Sequence, residues 1–255
     1  MARPVELRAD GLPAGSNSGL LYDRVLDALG TTIVAGGHAA GDVLLLDELV
    51  VSYSASRPVI REVVRVLESM RLVHARRRVG VVVLERDQWN LFDPRVIRWR
   101  LACGDRVAQL RSLTDLRGGV EPLAAYLAAT AASPDHCARL VAAVMGMSAT
   151  GRAGDLQAYL QHDIDFHRTL LEASGNEMFA SLADVVEAVL TGRTVHHLMP
   201  SEPKTEAIAL HRQVADCIHA GDGEGARQAM MAILEEAATA ILETSSARVG
   251  RSLPA

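Results

Sequence analysis

At 255 residues the chain has room for one large domain or two modest ones. Its hydrophobic content of 49% excludes a disordered chain, and no run of 18 uncharged apolar residues exists to span a membrane as a helix. A formal net charge of −5 excludes a surface that attracts nucleic acid everywhere, so such a function would have to be concentrated in one part of the chain. Aromatic residues make up only 4%, while Ala and Leu are abundant, which favours helices. Cys103, Cys137 and Cys217 are scattered, odd in number and form no CxxC pair, as in a reducing compartment. The opening MARPVELRADG has charges but no apolar core, so a signal peptide is not expected and a cytoplasmic location is.

Residues 1–17 read as a tail rich in Gly, Pro, Ser and Asn. From near Leu20 an apolar face recurs at Leu21, Val25, Leu26, Leu29 and Ile33, predicting a helix that stops at Gly36-Gly37. A loop over 38–42 leads into a short second helix over Leu44–Tyr53. A third helix begins after Ser56, the expected N-cap, with Pro58 in its first turn and Val59, Val63, Val66, Leu67 and Met70 as its buried face. Arg57, Arg61 and Arg65 step by four along another face, a row suited to phosphates or base edges in a major groove. Two short strands, Leu72–His74 and Val81–Leu84, flank the basic turn Arg76-Arg77-Arg78-Val79-Gly80. Seven arginines and only two acids, Glu62 and Glu68, lie between Arg57 and Arg78. Three helices and a two-stranded basic hairpin over residues 19–85 make a winged helix-turn-helix that binds DNA.

Residues 86–103 form a linker holding both tryptophans, Trp89 and Trp99, whose large rings dock rather than dangle. This segment is expected to pack the two domains against each other. Beyond it, helical periodicity predicts segments near 105–130, 134–148, 156–174, 176–195, 204–219 and 222–246. The breaks fall at Ser133-Pro134, Gly151, Gly175-Asn176, Pro200–Pro203 and Gly221–Gly223. Residues 104–246 are therefore an all-α antiparallel helical bundle. Within it Asp163 and His167 are one turn apart on one helix face, a spacing at which both can bind one divalent ion. His211 opens another segment and is a candidate third ligand from across the bundle, while Arg117 and Glu121 lie one turn apart on the first helix. The same spacings also suit a surface pair or a buried, mutually satisfied pair.

The stretch Ser56–Glu68, with Ile33–Gly36 and Gly41–Leu44 before it, resembles the recognition helix, first helix and loop of the GntR family of transcription regulators. The resemblance implies that Arg57 and Arg61 contact DNA and that Gly80 lies at the wing tip near the minor groove. Ala40-Gly41 stands in place of the usual Pro-Gly, and Leu44-Leu45-Leu46-Asp47 in place of Leu-Pro-Ser-Glu. Asp163–Leu170, Glu172–Asn176, His211–Asp222 and Ala226–Leu234 resemble the effector-binding FCD domain of the FadR-like branch. Many members of that branch hold zinc or nickel with one Asp and three His. Asp163, His167 and His211 match three of these, and Ile233 stands at the fourth. The resemblance thus implies an effector site of Arg117, Asp163, His167 and His211, working with or without a divalent metal. Gln88-Trp89-Asn90 with Asp93, Val96 and Trp99 resembles the sugar-acid regulators of this branch, of the galactonate-operon type.

The resulting expectation is a homodimeric repressor that binds an operator in double-stranded DNA and is released by a small organic acid, an aldonate such as galactonate. An enzyme would use Asp163, Asp165, His167 and His211 around a metal-activated water. Against that, no nucleophile elbow, phosphate loop or dinucleotide motif is present. A ligand-independent dimeric DNA binder is the other alternative, and it leaves the polar residues of the bundle unexplained.

Overall fold

The computed structural model describes residues 16–104, 106–196 and 205–251, and the side chains of residues 19–104, 106–196 and 205–240. The expected N-terminal tail and the break at Pro200–Pro203 lie largely outside the described residues. The chain divides after Gly104 into two compact units.

In the first unit, α1 (Ser16–Val34) ends where Gly36 takes a left-handed φ of 81°, which lets the amides of Gly36 and Gly37 bond back to Ile33 and Thr32 carbonyls. Strand β1 (Val43–Leu44) precedes α2 (Leu46–Ser52) and α3 (Arg57–Ser69). The second helix thus starts two residues later than expected, because Val43 and Leu44 pair with Val82 and Val81. Strands β2 (Val73–Arg76) and β3 (Gly80–Val83) form the expected hairpin, so the wing belongs to a three-stranded sheet of order β1-β3-β2 rather than a two-stranded one. Ser56 occupies the N-cap position of α3, but its side chain makes no capping bond. Ile60, Val63, Val64, Leu67 and Met70 form the buried face of α3, with Val59 and Val66 half-buried beside them. Leu67 sits fully buried in the same core as Leu26 and Leu29 of α1, where truncation to Ala costs about 2–5 kcal/mol.

The segment after the wing belongs to this unit's core. A short 3-10 turn (Arg86–Gln88) precedes α4 (Pro94–Ala102), which is capped by Asp93 through the amides of Arg95 and Val96. Trp99 packs on α1 so closely that a Cβ at Gly30 would lie 2.4 Å from its ring, and its indole N–H donates to Asp27 (3.0 Å). Trp89 donates to the Leu84 carbonyl at 3.0 Å.

The second unit is helical. It comprises α5 (Arg106–Ala131), α6 (Pro134–Ala153), α7 (Leu156–Ala173), α8 (Glu177–Ala180), α9 (Ala183–Val195), α10 (Thr205–Ala220) and α11 (Gly223–Arg251). Helix α6 opens with a capping box between Ser133 and His136 and ends at Gly154, whose φ is 71°. The expected break at Gly151 is therefore displaced, since a helical glycine needs no positive φ whereas the cap does. The segment expected as one helix over 176–195 is two, parted at Ser181-Leu182. Helix α5 packs along α11, α6 along α7, α10 along α11, and α7 against α9. Phe166, Leu170, Val214 and Met230 are fully buried between them.

Candidate functional site

The first unit concentrates positive charge in a groove between α3 and the wing. Arg57, Arg61, Arg65, Arg76, Arg77, Arg78 and Gly80 all line it, in a volume of about 800 Å³. The arginines are exposed, as the opposite face of a helix buried through Ile60, Val63, Val64 and Leu67 requires. Glu68, on the same helix, accepts from the Ala75 amide (2.9 Å) and pairs with His74 (2.9 Å), which ties β2 to α3 and fixes the wing beside the arginine row. Asp47 of α2 holds Arg57 through Nη2 at 2.6 Å, and Glu62 holds Arg65 at 3.0 Å. The wing tip is Arg77-Arg78-Val79, with Arg78 at φ 64°. Gly80 opens β3 with φ 133°, and a Cβ there would lie 2.8 Å from Val43 Cγ1 and 3.0 Å from the Leu44 carbonyl. Only glycine lets β1 approach β3 at that point.

The second unit buries its charge. Asp163 and His167, one turn apart on α7, face His211 on α10, and Oδ1 of Asp163 lies 3.4 Å from Nε2 of each histidine. All three residues are buried, and their ligand atoms lie within 4.8 Å of one another. Each imidazole is oriented from behind. His211 Nδ1 donates to the Ala207 carbonyl at 2.7 Å, and the Glu121 carboxylate lies 2.8 Å from His167 Nδ1. In the neutral form each ring carries its proton on Nδ1 and presents its Nε2 lone pair toward Asp163, the form that binds a metal. Arg117 donates to Glu121 from Nε (2.6 Å) and Nη2 (3.1 Å). That Nη2 also lies 3.4 and 3.3 Å from the two ring nitrogens of His167, a near-equal spacing that puts it over the ring. Phe166 meets the His211 ring edge-on at 4.9 Å and walls the cluster on its apolar side.

Burial raises the Asp163 and Glu121 carboxyls, but the basic side chains beside them outweigh it. The two histidine rings that face Asp163 hold it well below the usual carboxylate range. Arg117 and His167 bring Glu121 down to about 2. Burial lowers His167, yet Glu121 and Asp163 leave it raised overall, against the opposing charge of Arg117.

The trio fits a divalent metal. Asp163 Oδ1 and His211 Nε2 are buried without a hydrogen-bond partner, because contacts at 3.4 Å keep ion-pair range but lack hydrogen-bonding alignment. Lone pairs facing one another in a dry interior need a cation or protons between them. Two imidazole nitrogens and one carboxylate oxygen are a donor set for zinc or nickel, and three protein ligands leave coordination positions open. Ile233, at the position the resemblance assigns to a fourth histidine, is buried in the apolar core and brings no donor.

A model of the gntR family of bacterial regulatory proteins matches residues 21–83, the winged unit and its arginine groove. A model of the FCD domain matches residues 112–236, which hold the buried trio. The chain belongs to the GntR family of regulators with an FCD effector domain. It is 29% identical over 214 residues to the galactonate operon transcriptional repressor of Escherichia coli K12, covering 83% of this chain and 93% of that protein. Among solved structures, Lar of Listeria monocytogenes aligns at TM-score 0.53 and 16% identity, covering 88% of this chain and 97% of that one. McbR/YncC of E. coli aligns at 0.52 and 18%, covering 88% and 98%.

This GntR/FCD chain is thus a ligand-responsive DNA-binding transcription regulator, and its relatives are regulators rather than enzymes. Asp165, which an enzyme would have drawn into the metal centre, is exposed and stays outside the trio. No helix among the described residues is long and apolar enough to cross a membrane. Arg117 joins the trio through Glu121, a residue that spacing alone left without a role. Sequence reasoning missed Arg193, a guanidinium on α9 only 5% exposed. The available signal was its position three residues after Leu190 and seven after Val186, on the apolar stripe of its helix.

Proposed function

We propose that this regulator is a homodimeric repressor of sugar-acid catabolism, released from its operator by an aldonate such as galactonate. Arg57, Arg61 and Arg65 read the major groove from α3, Arg76, Arg77 and Arg78 neutralise phosphates, and Gly80 keeps the wing close to β1. Asp163, His167 and His211 hold a divalent metal that supplies a Lewis-acidic anchor for oxygen ligands. The aldonate binds beside it, with Arg117 contributing positive charge. The observation that carries this reading is the convergence of three buried lone pairs, two of them on atoms without hydrogen-bond partners, in the unit that matches an effector domain. The name of the E. coli relative, a galactonate operon repressor, supports the ligand class. Exposed Val141 and Met145 on α6 support an interface with a second copy, and a two-fold protein suits a two-fold operator.

The effector must favour one dimer geometry over the other, since a ligand with equal affinity for both shifts nothing. A typical coupling of about 1–3 kcal/mol lowers operator affinity roughly 5- to 150-fold. Fluorescence anisotropy on an operator selected from a random DNA library with the purified protein, titrated with an aldonate panel, tests this directly. A fall in affinity with one aldonate is expected. Unchanged affinity across the panel, with metal supplied, would overturn the effector assignment.

A further inference from the structure

We propose that Arg193 is the counter-ion for the anionic group of the effector. The two buried guanidinium groups among the described residues of the FCD unit then have separate duties, Arg117 holding the site together and Arg193 binding the ligand. This inference rests on the organic-acid reading above.

The two arginines differ in what they are bonded to. Arg117 gives Nε and Nη2 to the Glu121 carboxylate, so its charge is answered within the protein. Arg193 is equally buried, yet its Nε has no hydrogen-bond partner. A guanidinium does not escape burial by losing its proton, so one whose Nε has no acceptor carries a cost that an anionic oxygen there relieves. Its position suits that role. Helix α9 packs on α7, which carries Asp163 and His167, and also meets α5, which carries Arg117.

The charges that act on Arg193 are Arg117, Asp163, Glu236 and Tyr159. Burial first, and the repulsion of Arg117 second, lower its proton affinity, and the attraction of Asp163 and Glu236 does not restore it. The nearby carboxylates are already engaged. Asp163 faces the two histidines, and Glu121 faces Arg117 and His167. A divalent metal held by two neutral imidazoles and one carboxylate adds further positive charge. The loaded site then carries an excess that an anion relieves.

The unsatisfied atoms also match one ligand chemistry. Arg193 Nε is a donor, whereas Asp163 Oδ1 and His211 Nε2 are acceptors or metal ligands. A hydroxy-carboxylate meets both needs, with an anionic oxygen for the guanidinium and oxygen ligands for the metal. A neutral polyol lacks the group that Arg193 requires.

The test uses the full-length, zinc-loaded protein and two probes, galactonate and galactitol, which share a carbon chain and differ in the carboxylate. Calorimetric titration of wild type is expected to favour galactonate by on the order of 100-fold, the scale of a paired buried charge. In Arg193→Met, of similar volume but neutral, that preference is expected to fall below about tenfold. Zinc stoichiometry and ligand-free operator affinity stay at wild-type values. The ligand-free variant melts at or above the wild-type temperature, because an unanswered buried charge is gone. Arg193→Gln, which can hydrogen-bond but carries no charge, is expected to lose the preference as well. A folded neutral variant that keeps the wild-type preference overturns the proposal. A lower melting temperature together with lost zinc in both variants assigns Arg193 a structural role and overturns it too. Failure of wild type to bind any aldonate overturns the effector reading itself, a result distinct from either variant outcome.

Discussion

The arginine groove of the first unit and the polar cluster of the second are built from the same residue types under opposite conditions. Arg57 and its partner Asp47 keep 61% and 69% of their side-chain surface, so their ion pair at 2.6 Å is screened and exchangeable. Arg117 and Glu121 keep 3% and none at the same 2.6 Å, so neither can lose its partner cheaply. An exposed charge costs little without a partner, so it stays free to meet a phosphate or a base. A buried charge demands a partner, so an unpartnered atom such as Asp163 Oδ1 points to a ligand. Function is written as availability in one region and as unsatisfied need in the other.

The sharpest way to break this contrast is to remove one arginine from each region. Arg117→Ala strands the Glu121 carboxylate in the bundle, and urea denaturation is expected to show a loss of about 3–5 kcal/mol. A loss below about 1 kcal/mol would show that the cluster is wetter than its burial indicates. Arg57→Ala and Arg61→Ala should leave the denaturation midpoint unchanged and instead weaken specific operator binding by about 1–3 kcal/mol each. Equal affinity of both variants in an anisotropy titration would contradict the base-reading role of α3.

Acid exposes the same difference. Glu121 has its carboxyl lowered from 4.5 to about 2, so it binds its proton less readily in the folded state than in the unfolded one. Its stabilising contribution is full above the unfolded value and fades as pH falls from about 4.5 toward 2. Glu121→Gln is expected to flatten that limb of the stability profile, and a slope identical to wild type would sink the assignment. The smallest effect belongs to the wing. Neutralising Arg77 should weaken binding to all sequences alike and reduce the salt slope by about one. A lost sequence preference at an unchanged slope would instead make Arg77 a base reader.

Much of this organisation was legible before the fold, because it rests on period and punctuation. The arginine row, the helix stop at Gly36-Gly37 and the hairpin around Arg77 are local features that neighbouring residues dictate. Pairing is not local, and Leu44 of β1 reads from sequence as the start of a helix because a two-residue strand has no period of its own. The division between α8 and α9 falls at Ser181-Leu182, which carries neither Gly nor Pro. Trp99 was expected to dock, but its seat on Gly30 depends on a contact across some seventy positions. In the cluster, spacing puts Asp163 and His167 on one face and offers His211 as a third ligand from another segment, while the family resemblance implies that the three belong together. Glu121 and Arg193 went unassigned because a single charge on an apolar stripe looks like a snorkelling surface residue until its burial is known.

The claim that Asp163, His167 and His211 form one metal centre is tested most directly by counting metal. Full-length protein is stripped with a chelator, dialysed against trace zinc and analysed by native mass spectrometry. His211→Ala serves as the control, because it removes a ligand from α10 while leaving Asp163 and His167 on α7. One zinc per chain in wild type and none in a folded His211→Ala is the predicted result. Equal zinc in both proteins, or none in wild type at micromolar metal, would contradict it.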